Sequence, residues 1–175
     1  MKTLCLVAFL AAVLLVGGSS MSQTADREST IAEVTEVIHS NIEWPFPEKD
    51  TTRLYATIAR DSSLFIFHPD SKTTIVGYEP FRQMTEGFFM LPEMKPLGTE
   101  IKDLRVNLSA SGECAWWSCL LDDWGEFNGR PYKWQEARWT GVLEKRDGEW
   151  KIVQMHFSFA SDANEDEEQA GSDEG

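Results

Sequence analysis

Apolar residues at Ile31, Val34, Ile38 and Ile42 fall on one stripe of a 3.6-residue period, so the pattern predicts a helix from about Thr30. Thr30 and Glu33 have the spacing of a capping box, which satisfies orphan amides at a helix start. The run Trp44-Pro45-Phe46-Pro47 stops this helix. Asp50 is placed to cap a second one, where Leu54 and Ile58 stack at i, i+4 with Tyr55 beside them. Residues 64–67 read as a short apolar strand, turned at 69–72 into a second strand at 73–76 that Gly77 breaks. Pro80 suits the first turn of a third helix with Phe81, Met84 and Phe88 on its apolar face.

After a loop holding Pro92, Pro96 and Gly98 the period changes to two. Leu104, Val106 and Leu108 alternate with Asp103, Arg105 and Asn107, as in a half-buried strand. Longer strands are expected at 113–124, 132–145 and from 149 to about 161, separated by a loop over 125–131 and a tight turn around Asp147-Gly148. Helices followed by a run of antiparallel strands indicate the α+β class.

The last hairpin admits two registers. A two-residue Asp147-Gly148 loop sets Lys145 against Trp150 and carries Trp139 beside His156, mixing polar with apolar on both faces. A three-residue loop, Arg146-Asp147-Gly148, sets Lys145 against Glu149. Trp139, Leu143, Val153, Met155, Phe157 and Phe159 then share one face, and Arg138, Thr140, Gln154, His156 and Ser158 the other. A one-residue slip flips every side chain, so the segregating register is the expected one. On it Arg138 lies near His156 and Gln154 near Thr140, on an outer face. By parity Ala115, Trp117, Cys119, Leu121 and Asp123 form the inner set of the neighbouring strand, while Trp116 faces out.

Composition adds organisation. Lys2, the apolar run 4–16 and the small residues Gly17, Gly18, Ser19 and Ser20 read as a signal peptide over residues 1–20, which implies a secreted or periplasmic protein with no membrane partner after cleavage. Residues 21–28 are expected to be a flexible N-terminus and 29–161 the folded domain. Residues 162–175 carry seven acids and no base, the composition of a disordered tail. The 175-residue chain has a formal charge of −13, and the body stays acidic without its tail, which excludes nucleic acid as a partner class. Cys114 and Cys119 sit on opposite faces of one strand roughly 16 Å apart, too far for a disulfide, which needs Cα atoms within about 7 Å.

The segments GYEPFRQMTEGFF, SGECAWWSCLLDD and EARWTGVLEKRDGEWKIVQMHFSFAS resemble, in that order, conserved blocks of the SnoaL-like branch of the nuclear-transport-factor-2-like superfamily. RDGEWKIVQMHFS also resembles the closing hairpin of the calcium/calmodulin-dependent kinase II association domain. The resemblance covers residues 29–161. It implies three N-terminal helices packed into the concave face of a curved antiparallel sheet, a cone with one pocket, and dimerisation through the outer sheet face. Pocket arginines of the kinase association domain match Leu121, Gly141 and Phe157 here, so the resemblance implies an apolar pocket in this chain.

On this reading Tyr55, Phe81, Trp117, Cys119, Asp123, Trp139, Met155 and Phe157 are the expected pocket residues, and Arg138, Thr140, Gln154 and His156 the expected dimer face. The expected occupant is a small hydrophobic or aromatic molecule. Asp123, on the inner face near a strand end, is the candidate base, because burial raises a carboxylate pKa. His156 is the alternative acid–base candidate; His68 and His39 read as surface or packing residues. No metal-ligand spacing, nucleophile elbow, phosphate loop or dinucleotide fingerprint occurs, so neither a metal nor a cofactor is expected. The alternatives are an isomerase-, cyclase- or hydrolase-type enzyme, and a dimeric assembly module.

Overall fold

The computed structural model describes residues 11–70 and 73–160, with side chains described from Thr24 onward. Part of the leader and the whole acidic tail lie outside the described residues. Three helices, α1 (Ala11–Glu43), α2 (Thr51–Thr57) and α3 (Tyr78–Met84), accompany six strands. These are β1 (Phe65–Phe67), β2 (Ile75–Val76), β3 (Met94–Leu108), β4 (Cys114–Phe127), β5 (Arg130–Arg146) and β6 (Glu149–Ser158). They form one sheet in the order β2-β1-β6-β5-β4-β3, in which only the β1–β6 pair is parallel. The α+β expectation holds.

The start of α1 departs from the capping-box reading. The helix runs unbroken through Thr30, whose hydroxyl donates to the Asp26 carbonyl one turn back at 2.9 Å instead of capping. A Thr in a helix interior satisfies its hydroxyl this way. Val34 and Ile38 of the expected stripe are fully buried. Asp50 does cap α2, accepting from the Thr52 and Arg53 amides at 2.9 and 3.1 Å. Asn41 Nδ2 donates to Thr57 Oγ1 at 2.9 Å and ties α1 to α2.

β3, β4 and β5 are longer than the polarity pattern predicted and the turns between β4, β5 and β6 tighter, while β1, β2 and β6 are shorter. β3 begins at Met94 and includes Pro96 and Gly98, both assigned above to a loop. Proline is tolerated there because β3 is an edge strand. The loop expected over 125–131 is a two-residue turn, Asn128-Gly129, with φ of 53° and 74°. Asp147-Gly148, with φ of 53° and 83°, is also a two-residue turn, so Lys145 pairs with Trp150 and the three-residue loop is wrong. Asn-Gly and Asp-Gly favour this geometry because both central residues need positive φ.

Beyond Val153 the face assignment nevertheless survives, because β6 carries one extra residue there; before it Ile152, not Val153, lies with Leu143. Leu143 pairs with Ile152, but Val142 pairs with Gln154, and beyond this bulge Trp139 faces Phe157. Thr140 therefore lies beside His156 and Arg138 beside Ser158, not in the pairs expected. Further bulges fall at Leu97 and Asp103 to Leu104 on β3 and at Gln135 to Glu136 on β5. Each inserts a residue, bends its strand and increases the local twist. Their sum curls the sheet around α1 and α2.

The core fills the inside of that curl. Ala115, Trp117, Cys119, Leu121, Ala137, Trp139, Leu143, Met155 and Phe157 are all buried. Trp117 lies against Gly141, its cross-strand partner, and any Cβ at Gly141 would overlap the indole. Trp139 meets Trp117 edge-on at 5.3 Å and stacks on Phe157 at 5.8 Å with planes 6° apart.

Candidate functional site

One end of the curl stays open as a cavity of about 1040 Å³. Six stretches of chain close around it: the end of α1 with Trp44 and Pro45, the end of β1 through Asp70 with Thr73, the end of α3 and the turn after it, the start of β3, the β4–β5 hairpin, and the last residues of β6. Ten of the 22 wall residues are apolar aromatic or thioether groups: Trp44, Phe67, Met84, Phe88, Phe89, Met94, Phe127, Trp134, Phe157 and Phe159. Its polar groups include His68, Asp70, Asp123 and Tyr132, and among the described residues no lysine or arginine lines it. A mostly apolar cleft with a few convergent polar groups is the usual form of a small-molecule site.

Local sequence explains each wall. After α3 the backbone widens into one π turn, Thr85–Phe89, which sends Phe88 against Phe127 at 5.2 Å and Phe89 edge-on to Trp44 at 6.5 Å. Such wide turns are frequent at functional sites. Lys49 donates to the carbonyls of Leu91 at 2.9 Å and Met94 at 2.6 Å, fastening the start of β3 to the α1–α2 connection. Burial pulls its pKa down.

The floor depends on a bulge. Leu121 pairs with Ala137, but Asp123 pairs with Trp134, because Gln135 and Glu136 together oppose Asp122. Glu136 is left-handed at φ 53°, and its amide donates to Asp122 Oδ1 at 2.7 Å. Lys102 Nζ donates to the other oxygen, Oδ2, at 2.8 Å. The Lys102 hydrogen bond, then the Glu136 amide, hold the Asp122 carboxyl below its ordinary range. Asp122 is a structural pin, and its neighbour Asp123 is the reverse. Among the described residues the Asp123 carboxyl makes no hydrogen bond or ion pair, and burial pushes its pKa up to about 6. Tyr132 lies over Gly125, its cross-strand partner, and burial followed by the Asp123 charge raises it to about 12.

Of the residues expected in the pocket, Asp123 and Phe157 line this cavity. Trp139, Trp117, Cys119 and Met155 do not; they form the packed layer behind Phe157. The Cys119 thiol donates to the Trp139 carbonyl at 3.5 Å, and burial raises its pKa to about 12, so it is an inert core group. Tyr55 and Phe81 meet edge-on at 6.4 Å beneath the helices, also outside the cavity. Arg138 and His156 are exposed and Thr140 and Gln154 half-buried on the outer sheet face, and His156 also reaches the cavity rim.

His68 is the polar wall residue that polarity alone missed. It follows β1, stacks on Phe157 at 5.4 Å with planes 20° apart, and meets Trp134 at 6.3 Å. Burial lowers its pKa, with Asp70 acting weakly in the other direction, so its imidazole is neutral at pH 7. The position of His68 at the end of an apolar strand was the available signal. Trp134 gave none, since its inward direction depends on the bulge. Among the described residues no three His, Cys, Asp or Glu side chains converge as a metal site requires.

The SnoaL-like domain profile matches residues 34–162. No protein of curated function matches the chain by sequence. Among solved structures, the association domain of C. elegans CaMKII superposes with a TM-score of 0.60 at 18% identity, covering 77% of this chain and 98% of that one. A hexachlorocyclohexane dehydrochlorinase gives 0.64 at 15% identity, covering 77% and 87%. An NTF2-like protein of unknown function from Pseudomonas putida gives 0.59 at 17% identity, covering 78% and 92%. At these identities the likeness is one of fold.

Proposed function

The chain belongs to the SnoaL-like domain family, and from that premise we propose that it is an exported protein binding a small hydrophobic or aromatic molecule in the cavity above Asp123. The observation that carries this reading is an unpartnered, largely buried carboxylate set in an aromatic wall. Leaving a charge buried without a partner costs stability, and that cost is characteristic of binding and catalytic positions. Export rests on Lys2, the apolar run 4–16 and the small residues at 17–20. A homodimer through the outer sheet face is supported by exposed Trp116 and Arg138, and by the fold's likeness to CaMKII association and hub domains.

The test is a thermal-shift screen of the protein against neutral and ionised aromatic compounds. A compound that binds only the native state raises the midpoint by mass action. Hits whose shift disappears when Phe157 or Trp134 is replaced support the reading; a library without hits counts against it.

A second reading is proton transfer, favoured by the Asp123 pKa of about 6, close to the value a general base needs. In it Asp123 removes a proton from a carbon acid held against Trp134, and neutral His68 donates a hydrogen bond to the charge that develops. Solvent-deuterium incorporation into a bound carbon acid, abolished by Asp123→Asn, would establish it; binding without exchange leaves the protein a binder.

A further inference from the structure

We infer that the cavity selects organic cations: its preferred occupant is an aromatic amine whose ammonium sits against Asp123 and the faces of Trp134 and Tyr132. This rests on the reading of the cavity as a small-molecule site and adds the charge of the ligand.

Three observations carry it. Among the described residues the ionisable wall groups are the carboxylates of Asp70 and Asp123, two histidines and Tyr132, with no lysine or arginine among them. Two described lysines near this end of the sheet are committed elsewhere, Lys49 to the Leu91 and Met94 carbonyls and Lys102 to Asp122. The second observation is the register, in which Asp123 lies directly opposite Trp134 and Tyr132 directly opposite Gly125 on the same strand pair. A carboxylate flanked by aromatic faces offers a cation both a counter-charge and ring quadrupoles. Third, the whole chain carries −13, so its field draws cations toward an open acidic cleft and disfavours anions.

The chemistry excludes the converse. An anionic ligand would bring a second negative charge beside an Asp123 that no described base neutralises, in a setting drier than water. A neutral aromatic alcohol would gain the apolar contacts and one hydrogen bond but leave the carboxylate uncompensated.

The experiment is calorimetric titration of the full chain at pH 7.5 with naphthylmethylamine, naphthylmethanol and naphthoate. These share one apolar body and differ in charge. The amine is expected to bind about tenfold or more tightly than the alcohol, the increment of one charge-assisted contact, and naphthoate weakest. In Asp123→Asn, checked for folding by near-UV circular dichroism, the alcohol should bind as before and the amine should lose its advantage. Equal binding of amine and alcohol, or tightest binding of naphthoate, overturns the cation inference while leaving the cavity as a binding site. Failure of all three to bind removes both.

Discussion

Asp123 and Trp134 face each other across β4 and β5 only because the adjacent Asp122 holds an extra residue of β5 in place. Without the bulge at Gln135 and Glu136, strand parity would set Gln135 against Asp123 and turn Trp134 outward. Two consecutive aspartates thus divide the work. Asp122 spends both oxygens on structure, and Asp123 presents an unpaired carboxylate to the cavity.

Replacing Asp122 with Ala removes the acceptor for the Glu136 amide and for Lys102. Hydrogen bonds to charged groups are worth about 1.5–3 kcal/mol, so a loss of that order is expected in chemical denaturation. Ligand affinity should fall as well, since Trp134 loses its anchor. Asp122→Asn, which keeps one acceptor oxygen, should fall between the two.

Asp123→Asn should act in the opposite direction. The folded carboxyl has a pKa of about 6, above its ordinary value, so the native state holds this proton more tightly than the unfolded chain does. Stability is therefore lost as pH rises from about 4 to 6, and the cost is complete above 6. Removing the charge at pH 7 should stabilise the protein by about 1–3 kcal/mol. His68 contributes with the opposite sign: burial depresses its pKa, so its share of stability is lost as pH falls below its ordinary value near 6.5. Melting curves of wild type and Asp123→Asn between pH 4 and 8 should converge toward the acid end.

Gly141→Ala tests the layer behind the cavity. Its Cβ would enter the space taken by the Trp117 indole, which is confined by Trp139. Overpacking of this kind costs about 1–3 kcal/mol. Denaturant titration should show that loss, and a full-sized melting temperature would place the indole elsewhere.

Removal of residues 1–20 should leave the domain's stability unchanged. The first described side-chain hydrogen bond from α1 to the sheet is Arg27 Nη2 to the Leu108 carbonyl at 3.2 Å, and among the described α1 side chains burial begins at Val34. A midpoint lowered by several degrees in the shortened chain would mean that the early turns of α1 pack on the body.

Much of this fold was legible because periodicity reports burial. Val34 and Ile38 on the first helix, and Trp117, Trp139 and Phe157 on the strands, are buried as their spacing implied. What periodicity cannot report is an inserted residue. The turn at Asp147-Gly148 was misread as three residues because the polarity change that it was asked to explain is produced six residues away, at Val153. The same limit hid Trp134 behind the Gln135–Glu136 bulge. It also made Trp139 and Trp117 pocket candidates, since inward direction does not separate a packed layer from a wall. His68, read as a surface or packing residue, does pack, but its place in the wall was hidden for a different reason: its side chain stacks on Phe157, a contact between residues far apart in sequence.

The most direct test of the cavity as a binding site is a methyl spectrum of the chain labelled with 13C-methyl methionine, titrated with naphthylmethylamine and naphthylmethanol. Met84 and Met94 line the cavity, Met155 lies in the packed layer behind it, and Met90 is exposed outside the wall. The Met84 and Met94 resonances should shift in a saturable way while Met90 stays in place. Saturable shifts confined to Met90, or no shifts at either cavity methionine with both compounds, would contradict a ligand site at this end of the curled sheet.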